Sequence, residues 1–163
     1  RIIYLVRKPI NMHTSVSSWF TYAWHFFSDL TEKLPYRDFI LDLTKNWYTY
    51  TLSELNKHNP DNVLIIKYDD LVANPKDTVY QIYDKFNYEM TGEFKKVVAE
   101  ITKKTKEYKS KHVCSIEHTG LTKEEVVREF KDIFDEFKFD LQDVKEIKNI
   151  KENVDEAKEI NFL

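Results

Sequence analysis

The sequence predicts an α/β fold, helix-rich and built around two parallel strands, and three observations carry that reading. Two short runs of β-branched and aromatic residues, Ile2 to Val6 and Val63 to Ile66, have no polar break and read as strands buried on both faces. Elsewhere apolar residues recur every three or four positions, the period of a helix face. The segment joining the two runs holds two such helical patterns, so the strands pair in parallel through a helical crossover.

The elements follow in order. Pro9, just past the first strand, suits the opening turn of a helix, where its missing N–H costs nothing. Met12, Val16, Trp19, Phe20, Ala23, Trp24, Phe27 and Leu30 mark one apolar face of that helix. Pro35 separates it from a second helix, patterned by Phe39, Leu43, Trp47, Tyr50 and Leu55. Trp and Tyr at such spacing are expected in the core. Asn59, Pro60, Asp61 and Asn62 form a dense turn signal before the second strand. Helices are then expected over 76–88, on Val79, Ile82, Tyr83 and Phe86, and over 93–106, on Phe94, Val97, Val98 and Ile101. Thr122 and Glu125 have the spacing of a capping box, which opens a helix buried through Val126, Val127, Phe130, Ile133, Phe134 and Phe137. Beyond it, residues 138–163 read as an amphipathic helical tail or extension, with Leu141, Val144, Ile147, Val154, Ala157 and Ile160 among lysines and glutamates.

Composition narrows the function classes. Of 163 residues, 42% are hydrophobic and 15% aromatic, ample for a packed core. A net charge of −3 argues against a general nucleic-acid binder. Cys114 is the single cysteine, so no internal disulfide forms. No apolar run approaches the roughly 18 residues of a membrane span. Against this acidic balance, Lys103, Lys104, Lys106, Lys109, Lys111 and His112 form a basic stretch suited to a polyanion.

The first strand ends in Arg7 and Lys8 and turns straight into the helix that Pro9 opens. That geometry presents backbone N–H groups and a positive dipole end to an anion. Arg7 adds a planar fork of donors suited to phosphate, and Ser15 adds a hydroxyl from the second turn. Asp69 and Asp70 are adjacent and point in divergent directions, unlike a two-carboxylate site. His13, His25, His58 and His118 lack metal-ligand spacing, and no metal is expected.

Arg7, Pro9 and Ser15, in this order after a strand, resemble the 3′-phosphate-binding segment of sulfotransferases that use 3′-phosphoadenosine 5′-phosphosulfate (PAPS). Val63 to Pro75, VLIIKYDDLVANP, is similar to that family's second landmark strand with its acidic pair and Asn-Pro turn. His112 to Leu121, HVCSIEHTGL, is similar to a loop of its bacterial-type members, although Cys114 stands where the family usually has an aromatic residue. The resemblance implies a partial P-loop-type sulfotransferase fold over residues 1–137. It implies transfer of a sulfuryl group from PAPS to an acceptor hydroxyl or amine, without a metal. Arg7 and Ser15 would hold the 3′-phosphate, Lys111, His112 and Ser115 would sit in the loop closing over the cofactor, and the acidic pair would be architectural.

With two glycines, Gly92 and Gly120, the chain holds no G-x-x-x-x-G-K-[ST] loop. The resemblance therefore implies the C-terminal half of a sulfotransferase domain, with the N-terminal part of the sheet, the phosphate loop and the catalytic base in a missing N-terminal half. That half is the expected partner, alongside the nucleotide and an unassigned acceptor, and this chain alone is expected to be inactive. The compartment stays open between cytoplasm and Golgi lumen. Two other readings remain: a non-catalytic interaction module derived from a truncated sulfotransferase fold, and a P-loop kinase relative.

Overall fold

Ile2–Val6 form β1 and Val63–Lys67 form β2, pairing in parallel with Ile2 opposite Val63 and Val6 opposite Lys67. Both strands lie where the apolar runs place them. The computed structural model describes residues 1–27, 36–107 and 115–140, and among these β1 and β2 make up a two-stranded sheet. The expected tail beyond 140 lies outside the described residues.

Two helices make the crossover, α1 over Pro9–Phe27 and α2 over Arg37–Leu55. Pro9 is the first residue of α1, as its missing N–H favours. Asn59 accepts a hydrogen bond from the Asp61 N–H at 2.9 Å, closing the turn that feeds β2. After β2 the chain turns at once into a short helix, α3 (Tyr68–Ala73), which the sequence pattern did not separate from the Asn-Pro turn. Pro75 then opens α4 (Pro75–Lys85), and α5 spans Gly92–Glu107. The last helical stretch is divided at Phe130 into α6 (Lys123–Glu129) and α7 (Lys131–Phe137). Its start carries the expected capping box: Glu125 N–H donates to the Thr122 hydroxyl at 3.1 Å, and Thr122 N–H to the Glu125 carboxylate at 2.7 Å.

The core gathers Val6, Ile10, Tyr48, Ile116, Leu121, Val126, Phe130, Ile133, Phe134, Phe137 and Phe139. The C-terminal helices therefore pack over the β1–α1 junction, and their buried residues are the expected ones. The faces of α1 and α2 differ from the hydropathy reading. Buried on α1 are Pro9, Ile10, His13, Thr14 and Ser17, whereas Trp19, Tyr22 and Phe27 are 64%, 66% and 87% exposed. Helix α2 is rotated by about one position, burying Ile40, Thr44, Tyr48 and Leu55 and exposing Phe39, Trp47 and Tyr50.

In the buried polar stripe Thr14 and Thr44 satisfy their hydroxyls on their own helices and so bury cheaply. Thr14 donates to the Ile10 carbonyl at 2.6 Å and Thr44 to the Ile40 carbonyl at 2.8 Å. His13 Nδ1 lies 3.2 Å from Thr44 Oγ1; because that hydroxyl spends its proton on the backbone, the imidazole is the donor. His13 is fully buried, its Nε2 has no partner among the described residues, and burial lowers its pKa to about 4.

A folded-state pKa below the ordinary histidine value of 6.5 means the unfolded chain binds the proton first. The stability due to neutral His13 is complete above about pH 6.5 and is lost as pH falls toward about 4. Urea midpoints measured at pH 7 and pH 4.5 should therefore converge in His13→Gln. An unchanged acid sensitivity in that variant would remove His13 as its source.

Candidate functional site

Parallel pairing does more than join the strands. The register sets Val6 beside Lys67, and the residues just past the two strand ends meet there, Arg7 with Tyr68 and Lys8 with Asp69 on the first turn of α3. The Arg7 guanidinium lies over the Tyr68 ring, 5.0 Å from its centroid, a cation–π arrangement that orients the fork. Lys8 Nζ lies 3.3 Å from the Asp69 carboxylate. Asp69 of the acidic pair thus bonds a basic group at the end of β1.

The backbone of Arg7 is held from the other side. Tyr48, on α2, donates its phenol proton to the Arg7 carbonyl at 2.6 Å. Burial pushes the Tyr48 phenol far above the usual tyrosine range, with Tyr4 adding to the rise and Arg7 opposing it, so it stays a neutral donor. Phe130 meets the Tyr48 ring edge-on at 5.9 Å and keeps it in place. The Nε–H of Arg7 is buried, yet it has no acceptor among the described residues. A buried donor left unmatched costs about 1–3 kcal/mol. An anion at the strand end would accept it.

Ser15 lies on the side of α1 away from the buried stripe and is half-buried. Trp19, Tyr22 and Phe26 continue its face at helical spacing, each exposed. Ser115 precedes the 3₁₀ turn Ile116–Thr119, which packs against α1. Thr119 shapes this loop by donating to the Ile116 carbonyl at 2.7 Å and accepting from Leu121 N–H at 3.2 Å. Gly120 closes the turn at φ 71°, a conformation suited to glycine. Arg37 reaches the Gly120 carbonyl at 3.4 Å, and Lys45 pairs with Glu129 at 2.8 Å, fastening the loop and α6 to α2. The structure thus brings the Ser115 segment to the helix that carries Ser15. Lys111 and His112 lie outside the described residues.

Tyr48 and Tyr68 are the site residues that sequence reasoning missed. Tyr68 was legible in principle, since it follows β2 as Arg7 follows β1. Tyr48 gave no signal, because its partner is a backbone carbonyl far along the chain. A groove of about 580 Å³ lined by Tyr80, Tyr83 and Tyr88 includes none of the strand-end residues. Among the described residues, no group of three His, Cys, Asp or Glu could hold a metal, and no helix is long and apolar enough to cross a membrane.

The model of a family described as the sulfotransferase family matches residues 1–92. The crystal structure of a sulfotransferase from Mycobacterium avium superposes with a TM-score of 0.73 at 15% identity, over 86% of this chain. The match spans 37% of that sulfotransferase's length, so the shared part is one portion of its fold. No curated protein matches the sequence.

Tyr48→Phe removes one hydrogen bond and leaves the Arg7 carbonyl short of a partner. Unfolding free energy should fall by about 1–2 kcal/mol. Denaturant titration of both forms checks this, and an unchanged midpoint would mean water replaces the phenol at no cost.

Proposed function

The chain belongs to the sulfotransferase family, and on that premise we propose that it supplies the 3′-phosphate-binding part of an enzyme that uses PAPS. The observation that carries this reading is the buried Nε–H of Arg7 at the strand end, which has no acceptor among the described residues. A phosphate there would accept from the fork edge while Tyr68 covers its face and Tyr48 fixes its backbone. In open α/β sheets ligands gather beyond the carboxyl ends of strands, and Arg7 stands at such an end. Ser15 on α1 and Ser115, together with Lys111 and His112, are proposed to complete the cofactor contacts.

When bound, PAPS supplies the sulfuryl group that an acceptor hydroxyl or amine takes by in-line displacement. Reactions of this kind depend on positioning and charge stabilisation. On this reading Arg7 and Ser15 act as a handle, distinguishing a 3′-phosphorylated nucleotide from ATP and fixing its orientation. They govern affinity more than the chemical step.

The phosphate loop and the base are proposed to come from further polypeptide of the same protein, leaving this chain inactive alone. Ile3, Leu5 and Ile65 support that proposal, since these strand residues are 49%, 45% and 41% exposed although their sequence reads as buried on both faces. The same exposed surface would serve the second reading, a non-catalytic interaction module. Nucleotide binding separates the two.

Calorimetry of the full-length protein with 3′-phosphoadenosine 5′-phosphate and with 5′-AMP tests the proposal. The 3′-phosphorylated nucleotide should bind more tightly, and Arg7→Ala should weaken it by about 10- to 100-fold, the loss of charge-assisted hydrogen bonds. Equal binding of both nucleotides, or indifference to Arg7→Ala, would overturn the cofactor assignment and favour the interaction module.

A further inference from the structure

Phe130 stands at the break between α6 and α7, and its backbone serves both helices. Its N–H donates to the Val126 carbonyl at 3.0 Å, and its own carbonyl accepts from the Ile133 and Phe134 N–H groups at 2.9 and 3.0 Å. The ring held by this backbone is 1% exposed. It meets the Tyr48 ring edge-on, with centroids 5.9 Å apart and planes at 78°. Tyr48 is buried as well, and its phenol donates to the Arg7 carbonyl at 2.6 Å. Two contacts thus lead from the C-terminal helices to the residue at the end of β1. Neither can shift freely, because a close-packed interior transmits displacement.

Resting on the reading of Arg7 as the anion-binding cation, we propose that Phe130 is a positioning residue for that site, acting through Tyr48 on the peptide of Arg7. A tyrosine side chain turns about two bonds, and a ring edge packed against it selects the rotamer in which the phenol reaches the carbonyl. The peptide unit is planar, so a carbonyl held in one direction fixes the plane that joins Arg7 to Lys8. The Arg7 side chain then starts from a fixed backbone, with its guanidinium over Tyr68 and its Nε–H buried at the strand end. Phe130 itself touches no ligand on this reading. It removes backbone freedom that anion binding would otherwise have to quench.

The test is a double-mutant cycle read by calorimetry of the full-length protein with 3′-phosphoadenosine 5′-phosphate and with 5′-AMP. The variants are Phe130→Leu, Tyr48→Phe, the two combined, Phe134→Leu and Arg7→Ala. Phe130→Leu keeps an apolar side chain but removes the ring edge. It should weaken the 3′-phosphorylated nucleotide about threefold to tenfold, as the loss of one hydrogen bond would, and leave 5′-AMP unchanged. Tyr48→Phe should do the same, and combining the two should cost no more than either. Phe134→Leu, in the same core but without a ring contact to Tyr48, should lower the denaturation midpoint and spare binding. Parental binding in Phe130→Leu or in Tyr48→Phe, with Arg7→Ala still damaging, overturns this inference and leaves the cofactor reading intact. Additive losses overturn it too, since Phe130 would then act by another route, and equal weakening in Phe134→Leu would reduce its effect to general loosening of the core. The Tyr48→Phe arm decides the matter even where Phe130→Leu fails to fold. If Arg7→Ala changes nothing, the cofactor reading itself falls.

Discussion

Parallel pairing of β1 with β2 is the constraint on which the rest depends. Ten residues in a single register fix where the strands end, and the ends are where the charged and aromatic side chains begin. Just past the last register pair, Arg7 meets the Tyr68 ring and Lys8 the Asp69 carboxylate, both carried by the first turn of α3. At the other end Arg1 bonds the side chain of Asn62, again in step. A slip of one position would exchange these partners and turn each strand residue to the opposite face.

Around that pair, the helices work as fasteners. Helix α2 reaches the strand end through Tyr48, the loop through Arg37 and α6 through Lys45. Phe130 touches both the Tyr48 and the His13 rings, at 5.9 Å and 6.3 Å, so one side chain braces α1 and α2 together. The polar residues between α1 and α2 do not weaken this packing. Each of Thr14 and Thr44 spends its proton on its own helix backbone, which leaves His13 to bridge the two helices.

Among the described residues the surface divides into a covered part and a part with exposed apolar side chains. Where α6 and α7 cover the sheet and α1, the core is closed by aromatic contacts such as Tyr4 with Phe137. On the opposite side, strand residues and the aromatic half of α1 stand exposed. Extended apolar exposure of this kind marks surfaces that pack against something else.

Local chemistry alone determined a good deal. Unbroken β-branched runs can only be strands in this context, the long helical link between them makes them parallel, and Thr122 with Glu125 satisfies helix-end donors wherever it occurs. A strand tip followed by Arg7 and a helix-opening Pro9 raised the expectation of an anion site, because these features share only a few geometries. What only the tertiary structure decided was orientation. Periodicity gave α1 and α2 an aromatic buried face, but the threonines and His13 took that place by closing their hydrogen bonds locally and across the helices. It likewise decided that Lys8 pairs with Asp69 and that Arg7 lies over Tyr68, because these partners lie a whole crossover away in the chain. Spacing along a sequence carries the rotation of a helix only when hydrophobicity is the sole force turning it. Here hydrogen bonds and strand register turned it instead.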